Sequence, residues 1–260
     1  MRVLYLYCHP VPESYHGALR AVALAGLAKA GHSVDLCDLY VERFDPVLGA
    51  SERRSYHDLE CNQRGLESYI DRLRRAEALV VQFPTWCFGP PAMLKGFFDR
   101  LILPGVAFDL SDPARVRPLL QNVRQIAGVS TYGRSRYVAW SMGDPPRKLI
   151  TRYLRWFIKP SASVRYLALY NMNTATEQKR RRFLENVQGA MESRGLYRSG
   201  ETERNLARQR QNELSRSTAI NSGAAARVSD IESQLAMQQA ELDRRRAEAR
   251  ADFLSRGYTS

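Results

Sequence analysis

Along residues 1–195, short apolar runs alternate with amphipathic stretches. Residues 3–8 (VLYLYC) form a continuous apolar and aromatic run that His9-Pro10 stops, the mark of a buried strand entering a loop. Leu19, Val22, Ala23, Gly26, Leu27 and Ala30 then recur at helical spacing, and Gly31 supplies the stop. The cycle returns with a strand over 33–40, a turn-rich polar stretch over 42–62, and a helix ending near residue 75. Residues 78–83 (ALVVQF) read as a strand covered on both faces, and Met93, Phe97 and Leu101 mark one face of a third helix. A fourth strand spans 123–130. Asp144-Pro145-Pro146 then opens a fourth helix, with Asp144 as N-cap and proline at the first helical position. A fifth strand covers 164–169, and Thr174-Ala175-Thr176-Glu177 has the capping-box spacing of a fifth helix running to about residue 193. Five alternations predict an α/β protein with an open, doubly wound, five-stranded parallel sheet and helices on both faces.

Beyond residue 197 the pattern changes. Residues 201–260 contain no Pro, Trp or Cys and are dense in Arg, Glu, Gln and Ala. They divide into helical pieces over 203–217 and 228–254, separated by Ser222-Gly223. Leu235, Leu242 and Ala249 repeat every seven residues, but Gln238 and Arg245 occupy the other core-type positions, too few heptads for a coiled coil. The chain is therefore expected to be a principal domain, 1–197, and a helical C-terminal extension, 198–260, either packed on the domain or a partner or in part disordered.

Composition narrows the class. An apolar fraction of 44% is enough for a sizeable core. No run approaches the roughly 20 apolar residues of a membrane span, and the N-terminus lacks the pattern of a signal peptide. A cytoplasmic protein with no integral membrane segment is expected. Cys8, Cys37, Cys61 and Cys87 lie far apart, with no CxxC pair and no histidine cluster, so they read as reduced thiols and not as a metal site. The formal charge of +12 raises the question of nucleic acid, but the basic residues form no recognised reading motif. Because residues 198–260 hold 11 Arg against 9 acidic residues, most of the excess belongs to the principal domain, where it suits anionic phosphate ligands.

Ligands of such sheets bind beyond the carboxyl ends of the strands, at the point where strand order reverses. Three loops reach that edge. His9-Pro10-Val11-Pro12-Glu13-Ser14-Tyr15-His16 leads into a helix N-terminus whose free N–H groups favour a phosphate, with Ser14 and the rings of His9 or His16 as added donors; an ordinary helix cap reads equally well. Pro84-Thr85-Trp86-Cys87-Phe88-Gly89 puts two large aromatics on a loop, as a flat wall for a planar ring or as a plug for the sheet's end. Ser130-Thr131-Tyr132-Gly133-Arg134-Ser135-Arg136-Tyr137 can approach the other edge of a planar ligand, or simply connect a strand to a helix.

These residues carry a resemblance. His9-Pro10 with Ser14-Tyr15, then Asp38-Leu39-Tyr40, then Gln82-Phe83-Pro84-Thr85-Trp86 running through Phe88-Gly89-Pro90-Pro91-Ala92-Met93-Leu94-Lys95-Gly96, and finally Ser130-Thr131-Tyr132-Gly133, resemble the flavodoxin-like NAD(P)H:quinone oxidoreductases over residues 1–195. The resemblance implies sheet order 2-1-3-4-5 and a bound flavin, FAD or alternatively FMN. Its phosphate would lie near His9, Ser14, Tyr15 and His16, and its ring between Pro84, Thr85, Trp86, Cys87 and Phe88 on one side and Ser130, Thr131, Tyr132 and Gly133 on the other. Trp86, Phe88, Tyr132 and Tyr137 would face the substrate, and the N–H groups from Thr85 to Phe88 would contact the flavin rim. Hydride would pass from NAD(P)H through the flavin to quinones or similar electrophiles by a ping-pong mechanism, in a homodimer, with no catalytic acid or base required of the protein. The chain departs from the family at His16, where many relatives have Asn, and at Tyr132, where mammalian relatives have glycine. A flavodoxin-type electron carrier and a regulatory subunit of a membrane transport system are the alternatives.

Overall fold

A computed structural model describes residues 1–112 and 115–193 of the chain. In chain order, β1 (Arg2–Tyr7) leads into α1 (Tyr15–Lys29), β2 (Ser33–Asp38), the short α2 (Ala50–Arg54), α3 (Glu67–Arg75), β3 (Ala78–Pro84) and α4 (Ala92–Leu101). Two-residue strands β4 (Phe108–Asp109) and β5 (Arg117–Pro118) pair antiparallel before β6 (Gln125–Thr131). The short α5 (Arg136–Ser141) follows. Next come α6 (Pro145–Lys148), a π-helical stretch (Leu149–Leu154), α7 (Arg155–Phe157), β7 (Ser163–Leu169) and α8 (Glu177–Glu192). The five long strands are parallel in the order β2-β1-β3-β6-β7, which is 2-1-3-4-5 when they alone are counted.

Strand periodicity explains the layers. Successive side chains of β1 point to opposite faces: Leu4, Leu6 and Cys8 join a core with α3, α4 and the helix over 145–157, while Val3, Tyr5 and Tyr7 join a second core with α1 and α8. The central strands β3 and β6 are buried at every position, as the continuous run ALVVQF requires. Gly96 of the Leu94-Lys95-Gly96 motif lets the loop after β2 lie directly on α4, because a Cβ there would sit 2.1 Å from the Pro46 carbonyl oxygen. Among the described residues, no helix is long and apolar enough to cross a membrane. All four cysteines are unpaired.

The structure corrects three readings. α8 is capped by Thr176, whose hydroxyl accepts the Lys179 N–H, whereas Thr174 closes a 3-10 turn, so the helix starts two residues later than the capping-box spacing predicts. Asp144 does stand before Pro145, but it has φ 46° and its carboxylate makes no capping bond, being drawn to the Tyr132 hydroxyl. The helix α5 was not foreseen, since its six residues are too few for a periodic signal. The expected helical extension over 198–260 lies outside the described residues.

Candidate functional site

The three loops converge at the carboxyl ends of β1, β3 and β6. In the first, Ser14 caps α1: its hydroxyl oxygen accepts the Gly17 N–H at 3.3 Å and lies within hydrogen-bond distance, 3.0 Å, of His9 Nδ1. The Val11 N–H and the Val11 carbonyl oxygen each lie 3.1 Å from His9 Nδ1, which ties the ring to the loop. The Pro12 carbonyl folds down over the first turn, and only a glycine at position 17 accommodates it, a Cβ there lying 1.9 Å from that oxygen. The first-turn N–H groups of Tyr15 and His16 are the kind a helix leaves unspent, and the helix dipole favours an anion beside them. The buried Tyr7 hydroxyl makes no close hydrogen bond, and Ser14 is the polar side chain that acts on it.

Two side chains of this loop are committed elsewhere. The Tyr15 hydroxyl donates to the Arg180 carbonyl on α8 at 2.8 Å, leaving its backbone N–H as its contribution. His16, read as a ring donor to a phosphate, is only 4% exposed, and its Nε2 meets Thr131 Oγ1 at 2.9 Å. Burial, reinforced by the neighbouring His9, lowers its pKa to about 3, so the ring is neutral at physiological pH. The Gln82 amide donates to the His16 carbonyl at 2.6 Å and approaches its Nδ1, and Tyr5 O–H donates to the other end of the same amide. A buried chain Tyr5–Gln82–His16–Thr131 thus ties the first loop to the third. His16 braces the site instead of lining it.

The second loop is a tight turn. Trp86 N–H donates to Gly89 O at 3.0 Å and Gly89 N–H to Trp86 O at 2.8 Å, while Cys87 and Phe88 have φ of 49° and 58°. Two successive non-glycine residues with positive φ make a type I′ turn, and such strain, about 1–3 kcal/mol per residue, collects at ligand clamps. The turn lifts Trp86 into solvent, 42% exposed, with its ring 6.0 Å from that of His9. Of the four loop N–H groups expected to contact a ligand, Thr85's goes to Thr131 O and Trp86's to Gly89 O. Those of Cys87 and Phe88 make no hydrogen bond among the described residues.

The third loop is mostly turned inward. Ser130 is fully buried against Thr85, and Thr131 is taken by His16. Tyr132, expected to face a substrate, is 2% exposed: its hydroxyl donates to Asp144 Oδ1 at 2.6 Å, lies 2.6 Å from that of Tyr166, and its ring stacks on Tyr170. Burial raises this phenol far above the ordinary tyrosine range, so it stays protonated. This bulky ring therefore ties the loop to Asp144 before α6 and to Tyr166 of β7. Gly133 is the solvent-facing member, and Tyr137 lies open on α5 beside Trp140.

Sequence reasoning missed Gln82, Tyr7 and Asp144 as parts of this edge. Gln82 did carry a signal, being the one polar residue in ALVVQF, just before the loop it braces. The surroundings fit a phosphate-bearing planar group: an anion at the α1 N-terminus beside the orphan Tyr7 hydroxyl, and a ring rim at the Cys87 and Phe88 N–H groups.

A family described as flavodoxin-like fold matches residues 1–190. The chain is 35% identical over 125 residues to a ribosyldihydronicotinamide dehydrogenase [quinone] of Pongo abelii, an alignment covering 42% of this chain and 54% of that protein. It is 30% identical over 132 residues to FMN-dependent NADH:quinone oxidoreductase 1 of Bradyrhizobium diazoefficiens, covering 46% and 64%. The chain spans about half the length of the first of these relatives. Among solved structures, Smu.1420 from Streptococcus mutans UA159 aligns with a TM-score of 0.65 at 28% identity, over 74% of this chain and 99% of that one. An NAD(P)H:quinone oxidoreductase from Methanothermobacter marburgensis aligns with a TM-score of 0.64 at 22% identity, over 74% and 98%, a likeness of fold.

Proposed function

Because the chain belongs to the flavodoxin-like fold family, we propose that its three converging loops hold a flavin nucleotide and that the protein is an NAD(P)H dehydrogenase acting on quinones or similar electrophiles. The observation that carries this reading is the strained Trp86–Gly89 turn, which offers two free N–H groups and an exposed indole beside an anion-favouring helix N-terminus. A flavin held there would supply two-electron redox chemistry between a reduced nicotinamide and an acceptor. The chain's own work is positioning. The backbone of Tyr15 and His16, with His9, Ser14 and Tyr7, would hold the phosphate; the Cys87 and Phe88 N–H groups would hold the ring rim; Trp86 would close one face and exclude water. No side chain is assigned as acid or base, and Tyr132 is too deeply buried and too weakly acidic to serve.

The printed name of the Bradyrhizobium relative supports FMN ahead of FAD, and the relatives' names favour an enzyme over an electron carrier or a regulatory subunit. Four unpaired thiols support a cytoplasmic setting. Exposed Tyr137 and Trp140 beside the site support a homodimer, and the change of composition beyond residue 197 supports a domain boundary there. Initial rates with varied nicotinamide and quinone are expected to give parallel double-reciprocal lines, since both substrates use one face of the site in turn; intersecting lines rule out the shared face.

A further inference from the structure

A line of side-chain hydroxyls runs from the edge of the site into the protein and ends on a carboxylate. Thr85, partly buried and directly before Trp86, places Oγ1 3.2 Å from Oγ of the fully buried Ser130. Burial raises the pKa of the Tyr166 phenol, and side-chain hydrogen bonds with Tyr132 and Ser130 oppose the rise, so Ser130 is joined in turn to Tyr166. The Tyr166 and Tyr132 hydroxyls lie 2.6 Å apart, and Tyr132 O–H donates to Asp144 Oδ1 at 2.6 Å. Each hydroxyl owns a single hydrogen, and a carboxylate only accepts. The far end therefore fixes every direction along the line. Tyr132 spends its hydrogen on Asp144, so Tyr166 must donate to Tyr132, Ser130 to Tyr166, and Thr85 to Ser130. Thr85 Oγ1 is left facing the site with lone pairs alone.

Beside it, the Cys87 and Phe88 N–H groups make no hydrogen bond among the described residues. The loop thus offers an acceptor next to a pair of donors. A ligand edge that matches it carries an N–H flanked by carbonyls, the pattern of a cyclic imide or a pyrimidinedione. We propose that Thr85 accepts a ring N–H of such an edge, and that the chain through Ser130, Tyr166 and Tyr132 to Asp144 holds Thr85 in the accepting state. Polarisation along a chain of hydrogen bonds strengthens each member, so Asp144 acts on the ligand without touching it. Asp144 and Tyr166 are positioning residues. The inference rests on the flavin reading above and assigns the imide N–H of the flavin ring to Thr85.

Full-length protein stripped of cofactor is titrated by fluorescence with FMN and with 3-methyl-FMN, in which a methyl replaces the hydrogen of that N–H. Both ligands carry the same phosphate, so the α1 end contributes equally to each. Thr85→Val, close in shape, is expected to weaken FMN by about tenfold and to leave 3-methyl-FMN nearly unchanged. Tyr166→Phe, which leaves the Tyr132–Asp144 bond in place, is expected to weaken FMN by about threefold and again to spare the analogue. A general loosening of the fold weakens both ligands alike, so the difference between them reads the chain and not stability. With isotope-labelled FMN bound, the proton of that N–H is expected to resonate further upfield in Tyr166→Phe than in the parent. Equal losses for the two ligands, FMN affinity unchanged in either variant, or an unmoved resonance overturns the proposal and leaves the flavin reading standing. Folded parent protein that binds neither FMN nor FAD overturns the flavin reading, and this assignment with it.

Discussion

A Gly17→Ala variant is expected to lose its flavin affinity while still folding. The alanine methyl would lie 1.9 Å from the Pro12 carbonyl oxygen, so that carbonyl must retreat by more than an ångström. The retreat displaces a loop whose hydrogen bonds are short-range and interlocked: Ser14 to His9, Val11 to His9, and Gly17 to Ser14. Those residues aim the donors expected to hold a phosphate. Overpacking of this kind typically destabilises by about 1–3 kcal/mol, which a well-packed domain tolerates. Flavin affinity is expected to fall by about 100-fold, equivalent to about 2.7 kcal/mol. Fluorescence titration with FMN reads the affinity and urea unfolding reads the fold. A variant that binds flavin like the parent would mean that this loop does not hold the phosphate.

The second large effect is expected at His16. A His16→Leu variant leaves Thr131 Oγ1 without its partner and removes one of the contacts of Gln82, at a cost of about 1–3 kcal/mol for buried polar groups left unpaired. Because the link joins the first loop to the third, flavin affinity should fall about tenfold, about 1.4 kcal/mol, while His16→Asn, which can still hydrogen-bond, should lose less. The pH dependence separates this residue from others. The folded-state pKa of His16 is lowered from 6.5 to about 3, chiefly by burial, whereas in the unfolded chain the ring takes up a proton near its ordinary value. Between those two values the unfolded state binds more protons, so stability falls as pH drops below about 6.5, by at most about 1.4 kcal/mol per pH unit; above it this group adds no slope. Urea unfolding at pH 7.5, 6 and 5 is expected to show a shallower acid decline in either variant than in the parent. An identical decline would place the titrating group elsewhere.

β1 and β3 were legible as apolar runs bounded by loop residues, and β3 and β6 match their expected spans to within two residues. The converging loops were legible too, since parallel topology dictates where they meet. Side-chain direction at the strand ends was not. Thr131, Tyr132 and His16 sit in a loop or first helical turn, where local pattern does not tell a solvent-facing side chain from one drawn into the sheet by a distant partner. The partners lie 115 residues away for His16 and 12 for Tyr132, and only folding brings them together. Asp144 shows the same competition: a strong capping signal gave way to a hydrogen bond with a buried phenol, and the residue took a left-handed conformation to reach it.

The α1 N-terminus and the Trp86 turn together are expected to hold a flavin. The most direct measurement is to purify the full-length protein, release any bound cofactor by heat, identify it chromatographically, and titrate the stripped protein with FMN and with FAD. The expected result is a yellow protein that retains or rebinds one flavin per chain, with FMN preferred, and a Trp86→Ala variant that binds it more weakly. Stripped protein that folds normally yet binds neither FMN nor FAD would contradict it.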